Sequence, residues 1–396
     1  MKNFFHPLVE NPYRKKDIDA AIKVLKTNKI TIGPITDKFE KLFKRKLNTN
    51  FSLMVNSGSS ANLLALQCLI NPYRKHRLKR GDEILIPSLC WSTSLWPIIQ
   101  SGLVPKFVDV DVHTLNINID DLKRKISKKT KALLIVHVLG NCSDMREIMK
   151  IKKKNKLILI EDTCESLGTK FKNKFLGTFG EFSTFSFYSS HQISSGEGGM
   201  LCCQNNEDYE IIKSLRSHGW SRGLKNEAKI ASKNKQLDKR FIFYNSGFNL
   251  RPTDVSASIG LSQFKDLNKF IKIRSANRKM IMREVKKNIL VNNNLFITKE
   301  NNFVKASWFG IPIILSRKIS RKNFIKGVEK NGVQTRPIIS GNFLKQPSIK
   351  KYKLNKNLKL INSDYINNHG FFIGLPTKLM TNSNVKKLVK VFEKNI

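Results

Sequence analysis

Between about residues 80 and 205 the chain alternates short apolar runs with longer polar, amphipathic segments, and this pattern constrains its fold more than any other feature. The runs EILIPS, KFVDV, KALLIVHVLG, KLILIEDT, FSTFSFYSS and GGMLCCQ read as strands. Strands separated by helical stretches need crossover connections, so the layout is α/β with a largely parallel sheet. Ahead of it, Gly33 and Pro34 punctuate the entry to an amphipathic helix carrying Phe39, Leu42 and Phe43, and a second helix begins near SSANLLALQCLI.

Beyond the alternating region, Ile259, Phe264, Leu267, Phe270 and Ile271 recur at roughly helical spacing between Thr253 and about Ile289. This predicts a long helix leaving a large first domain. A smaller domain is expected to follow, with WFGIPIIL as a strand, SRKNFIKGVEKNG as a helix closed by Gly332, VQTRP as a strand and NVKKLVKVFEKN as a terminal helix. The expected division is 1–265 for the large α/β domain and 266–396 for the connecting helix and a small C-terminal α+β domain.

Composition narrows the function. With 72 Lys plus Arg against 30 Asp plus Glu the formal charge is +42. The basic residues are scattered, as at Lys152 to Lys154 and Lys386, Lys387, rather than gathered into one stripe, so a compositional bias explains them without a specific nucleic-acid partner. No run reaches the ~18 apolar residues of a membrane helix, and MKNFFHPLVENPYRKK has no signal-peptide core, so a soluble cytoplasmic protein is expected. The six cysteines, Cys68, Cys90, Cys142, Cys164, Cys202 and Cys203, show no CxxC spacing. A cysteine-held metal centre is not expected, and buried reduced thiols are.

Three segments carry chemistry. Asn56-Ser-Gly-Ser-Ser-Ala-Asn joins an apolar run to a helix, where the helix amides could hold a phosphate or merely form an ordinary capped turn. KLILIEDTCESLG delivers Asp162 and Glu165 to a strand end, where an open parallel sheet places its ligand crevice. A carboxylate there can keep a heteroaromatic nitrogen protonated and make the ring an electron sink. TFSFYSSHQISSGEGGM is a hydroxyl-rich strand and turn followed by a glycine-rich return. By itself its His191 reads more readily as a satisfied polar histidine than as a catalyst.

In this order and spacing the three segments resemble the pyridoxal-phosphate-dependent sugar aminotransferase family (DegT/DnrJ/EryC1/StrS), which acts on nucleotide-linked keto-sugars. The resemblance spans nearly the whole chain. It implies an aspartate-aminotransferase-like transferase fold, fold type I. The family's glycine-hydroxyl turn matches Gly58 and Ser59, its strand-end aspartate matches Asp162, and its Ser-Phe-Tyr-x-x-Lys motif before Gly-Glu-Gly-Gly matches Ser186 to His191.

His191 therefore stands where the family has its Schiff-base lysine. There is no substitute nearby: Phe175 to Ile212 contains neither Lys nor Arg, although these make up 72 of the 396 residues. An imidazole cannot tether an aldehyde, but its pKa near 6.5 suits it to move a proton. The resemblance then implies a noncovalently held cofactor acting in its pyridoxamine form, whose free amine condenses with a ketone of the substrate. His191 would take a proton from the cofactor's C4′ carbon, and Asp162 would fix the pyridinium while a hydroxyl leaves the neighbouring sugar carbon. The outcome is dehydration, not transamination.

That exchange marks the family's 3-dehydratases of 4-keto-6-deoxy sugars. One branch acts on CDP-linked sugars and carries an iron-sulfur cluster on cysteines downstream of the histidine, whereas the last cysteine here is Cys203. The other acts on GDP-4-keto-6-deoxymannose in dideoxysugar (colitose) synthesis and has no cluster. CESLG, RSHGWSRGL, GFNLRPTD, ASWFG and RPIISGNFLK resemble this second branch.

The resemblance implies further roles. Trp91 would stack on the cofactor ring. Ser186 and, from a neighbouring subunit, Asn249 would join Gly58 and Ser59 around the phosphate. Glu165 would lie near the ring hydroxyl, and His218, Arg222 and Arg336 would face the substrate. Plainer alternatives are a core aromatic for Trp91 and surface charges for Arg222 and Arg336. Glutamate would regenerate the amine, the aminated product would hydrolyse with release of ammonia, and a shared site would need at least a homodimer. The competing readings are an ordinary sugar aminotransferase using another lysine, a CDP-sugar dehydratase without a cluster, and a noncatalytic basic protein.

Overall fold

The computed structural model describes residues 4–10, 12–354 and 358–396. Its strands are β1 (Phe51–Val55), β2 (Glu83–Pro87), β3 (Val104–Val108), β4 (Thr130–Val136), β5 (Ile158–Asp162), β6 (Lys170–Phe171), β7 (Lys174–Phe175), β8 (Phe182–Ser186), β9 (Gly199–Cys203), β10 (Leu295–Ile297), β11 (Val304–Lys305), β12 (Gly310–Leu315), β13 (Thr335–Arg336) and β14 (Gly370–Gly374). The main sheet runs β1-β9-β8-β5-β4-β2-β3. In it β3, β2, β4, β5 and β8 are parallel, as the alternating pattern requires.

Consecutive residues such as Leu133, Leu134 and Ile135 are buried, because helices cover both faces. Helices α1 (Lys15–Leu25) and α2 (Pro34–Leu47) precede β1, and α3 (Gly58–Leu69), α4 (Ser92–Gln100), α5 (Ile119–Lys125) and α6 (Met145–Asn155) lie in the connections up to β5. Strand β9 runs against both neighbours. Residues 187–198 make no helical crossover, so the chain returns antiparallel, and that return carries His191.

Two devices fix the frame around β8. The buried Asp254 carboxylate accepts the amides of Gly33, Ile35 and Thr36 at 3.0, 3.1 and 2.9 Å, capping α2 from a distant segment. Phe43 stacks on Phe264 with ring centroids 4.9 Å apart and meets Phe185 edge-on at 5.0 Å, while Phe39 packs on Phe187 at 5.3 Å. These fully buried rings lock β8 to α2 and to the helix Asp254–Lys265.

The expected long helix is two. Asp254–Lys265 ends at Asp266 and Leu267–Lys287 begins beside it. The Asp266 carboxylate accepts Arg14 at 2.6 Å and also pairs with Lys16, which ties the break to the N-terminal segment. A second sheet, β10-β12-β14-β13, is antiparallel throughout. WFGIPIIL supplies β12, SRKNFIKGVEKNG supplies the helix Arg321–Lys330, and Gly332 follows it at φ 82°, a left-handed angle open to glycine. VQTRP contributes only the two residues of β13, and β14, an inner strand of this sheet, was not foreseen. The terminal helix Asn382–Glu393 buries Val385, Leu388, Val389 and Phe392. Among the described residues no helix is long and apolar enough to cross a membrane.

Candidate active site

The end of β5, the end of β8 and the start of α3 converge on a cavity of about 520 Å³, where an open parallel sheet binds its ligand. Gly58, Ser59, Trp91, Asp162, Glu165, Ser186, His191 and Arg336 all line it.

Gly58 opens α3, and a Cβ there would stand 2.7 Å from Ser186 Cβ and 3.0 Å from Cys164 Sγ. Only glycine lets the helix start come so close to β8. Ser57 caps the helix by accepting the Ser60 amide at 3.1 Å, leaving the Gly58 and Ser59 amides without an intrahelical acceptor. With the positive end of the helix they leave a corner whose donors could hold an anion. The Ser59 hydroxyl lies 2.8 Å from that of Thr93, and Ser186 adds a second hydroxyl to the lining.

Asp162 closes β5 and is 4% exposed. Its Oδ2 accepts Asn62 at 2.9 Å and Ser94 at 2.7 Å, and its Oδ1 accepts the Cys164 amide at 3.2 Å. Three donors hold the carboxylate in one orientation. Its neighbour Glu161, on the opposite face of the strand, accepts the amides of Gly177, Phe179 and Gly180 at 2.8, 2.7 and 2.8 Å. It therefore secures the back of the sheet and takes no part in the cavity.

Glu165 follows in the loop, with Oε2 accepting the Leu139 amide at 2.9 Å. Burial pushes its carboxyl up to about 7; Asp162 adds to the rise and the Leu139 amide opposes it.

His191 sits in the turn after β8. Its Nδ1 lies 2.7 Å from the Cys164 carbonyl oxygen, which can only accept, so Nδ1 carries the hydrogen and Nε2 the lone pair. Burial, followed by the charge of Arg274, pushes the imidazole down to about 3, so the ring is neutral at physiological pH. It packs on Phe309 at 5.2 Å and edge-on to Tyr188 at 6.1 Å. No lysine lines the cavity among the described residues.

Trp91 is the N-cap residue of α4 and is 57% exposed, which rules out the core-aromatic alternative. Arg336 reaches the cavity from β13, beside Phe309, Ile339 and Phe372.

Three expected residues lie elsewhere. Ser217 bridges Asn249, and His218, at φ 61°, places Nε2 3.3 Å from Arg251 and its ring 5.0 Å from Trp220. Arg222 and Asn249 are exposed. None of the three lines the cavity of its own chain. Conversely, Asn62, Ser94, Thr93 and the Cys164 carbonyl were not anticipated. A signal existed for Asn62, which stands one helical turn beyond Gly58 and so shares its side of α3.

The architecture is that of the fold type I, aspartate-aminotransferase-like transferases, as expected. The DegT/DnrJ/EryC1/StrS aminotransferase family matches residues 12–393, and the chain belongs to that family. It is 36% identical over 376 residues to the GDP-4-keto-6-deoxy-D-mannose 3-dehydratase of Escherichia coli O55:H7 (strain CB9615 / EPEC), covering 93% of this chain and 95% of the relative. The solved structure of the E. coli enzyme with bound hydrated PLP superposes with a TM-score of 0.91 at 35% identity, over 99% of this chain and all of that one. A structure of GDP-4-keto-6-deoxymannose-3-dehydratase with a trapped PLP-glutamate geminal diamine gives 0.89 at 35% identity, over 98% of this chain and 100% of the other.

Proposed function

We propose that the chain is a 3-dehydratase that removes the C3 hydroxyl of a nucleotide-linked 4-keto-6-deoxyhexose, with GDP-4-keto-6-deoxymannose as the substrate. Pyridoxal or pyridoxamine phosphate is held without a covalent bond, and L-glutamate is the amino donor. The observation that carries this reading is His191, neutral and lining a cavity that has no lysine among the described residues, in a chain similar along its length to such dehydratases.

The residues fit the cofactor. The free amides of Gly58 and Ser59, with the Ser59 and Ser186 hydroxyls, suit a phosphate. The triply anchored Asp162 suits a protonated ring nitrogen, and the exposed Trp91 ring offers a stacking surface. Glu165, which lines the same cavity, would serve the ring hydroxyl. When bound, the cofactor supplies the electron sink that the side chains lack.

The protein's own part is positional and protonic. His191 Nε2 takes and returns the proton, because Nδ1 is committed to the Cys164 carbonyl. Asp162 keeps one orientation, fixed by its three donors. Among the described residues Arg336 is the positive side chain in the lining, and it takes the sugar or its diphosphate. His218 and Arg222 would meet the substrate outside the cavity of their own chain, and Asn249 would serve the phosphate of a second copy in a homodimer. The division at 265/266, cytoplasmic location and a role in dideoxysugar synthesis belong to the same reading.

The test is to supply pyridoxal phosphate and glutamate, offer GDP- and CDP-linked 4-keto-6-deoxyhexoses in parallel, and identify products by mass. The expected product is the GDP-linked 4-keto-3,6-dideoxy sugar with release of ammonia. An amino sugar as the product overturns the reading in favour of an aminotransferase.

A further inference from the structure

Behind the His191 turn lies a buried arginine to which the proposed reaction gives no task. Arg274, on the helix Leu267–Lys287, is 7% exposed. Its three hydrogen bonds all go to backbone carbonyls: Nη2 to His191 at 3.3 Å, Nη1 to Gln192 at 3.4 Å and Nε to Leu375 at 3.2 Å. No carboxylate pairs with it among the described residues, and burial alone lowers its own proton affinity, to about 10. An unpaired buried cation opposes folding unless its hydrogen bonds are well met, and an apolar residue would fill the space more cheaply.

We propose that Arg274 is a positioning residue for the His191 base, holding the His191–Gln192 backbone from behind and tying it to the segment that follows β14. The proposal rests on the reading of His191 as the proton carrier. Two fixed points on one residue set where Nε2 aims: the ring is held through Nδ1 to Cys164, and the main chain through its carbonyl to Arg274. Gln192 reinforces the same turn from the other side, its amide donating to the Ser307 carbonyl at 3.0 Å and to the Glu165 carbonyl. Without the guanidinium fork, one end of this clamp is lost and the imidazole can swing.

The charge has a second effect. After burial, Arg274 is the group that disfavours the imidazolium, which keeps Nε2 free to accept a proton. The other charges around the ring are Asp162, Glu165, Glu197 and Arg336 across the large cavity, and Glu10 and Arg14 across a small cavity of about 40 Å³ that His191 and Arg274 also line.

Arg274→Gln and Arg274→Lys test this in the full-length protein. One readout is the NMR titration of the His191 ring without cofactor, assigned with His191→Asn. The other is the pH profile of the single-turnover half-reaction of the loaded protein with glutamate. In Arg274→Gln the ring is expected to gain roughly tenfold in proton affinity, and the acid limb of the rate to move to higher pH. Arg274→Lys keeps the charge but cannot span three carbonyls, so it should keep the native titration and lose about tenfold in rate. A native titration and native rate in Arg274→Gln overturn the proposal. Should that variant not fold, a native rate in Arg274→Lys overturns it. If the unmodified protein lacks the half-reaction, the dehydratase reading fails and takes the base-positioning role with it, whereas a native titration in Arg274→Gln beside an intact half-reaction in the unmodified protein counts against Arg274 alone.

Discussion

The floor of the cavity and the lobe of residues 217–251 are built in opposite ways. On the floor, Asp162 is held by three donors, His191 by a carbonyl at 2.7 Å, and the Gly58 start by a fit that admits no Cβ. On the lobe, Arg222 and Asn249 are exposed, and His218 contacts Arg251 and Trp220, with none of the three in the cavity. A fixed floor can act on a reacting atom without reorganising, whereas exposed side chains act by capturing what arrives. Substitutions on the floor should therefore lower kcat, and those on the lobe should raise KM.

The largest expected effect is from His191→Asn, which should lower the glutamate half-reaction about 10³-fold while cofactor is still bound, measured by single-turnover absorbance. A drop in cofactor affinity with a native rate would break the comparison. Asp162→Asn comes next, with a loss of about 10²-fold in kcat and a lowered thermal midpoint, since the amide removes the charge and turns an NH2 toward groups that themselves donate. Arg222→Ala should raise KM for the nucleotide sugar about tenfold and leave kcat alone, as loss of one charged contact implies. A fall in kcat instead would put Arg222 with the floor.

The smallest effect is on stability. The folded pKa of Glu165, about 7, lies above its ordinary value of 4.5, so the proton is bound more tightly in the folded state. That contribution is complete below pH 4.5 and is lost as pH rises through 7. Cofactor-free Glu165→Gln should therefore lose less thermal midpoint than the native protein between pH 5 and pH 8. Equal losses would mean that the carboxyl is not buried in the way described.

The same contrast explains what was legible in the sequence. EILIPS, KLILIEDT and FSTFSFYSS could be placed because buried strands need apolar runs, and Asp162 followed because a sheet turns position along a strand into position in space, whereas His191 stood out only through the family motif it occupies. The partners of Asp162 were not legible, since Ser94 and Asn62 meet it only after α3 and α4 pack on the sheet. The break at Asp266 escaped periodicity, because ion pairs with the distant Arg14 and Lys16 hold it and the apolar spacing runs on across it. GFFIG, which forms β14, is too short and too glycine-rich to stand out, yet pairing with β12 on one side and β13 on the other makes it an inner strand. On the lobe the residue types were readable but their direction was not, because loops carry no fixed period.

The central claim is an untethered cofactor with a histidine base beside it. Its most direct test is borohydride reduction of the protein loaded with pyridoxal phosphate, followed by peptide mass mapping. The account predicts cofactor released on denaturation, with every lysine and the peptide around His191 unmodified. A pyridoxyl group fixed to one lysine side chain would contradict it.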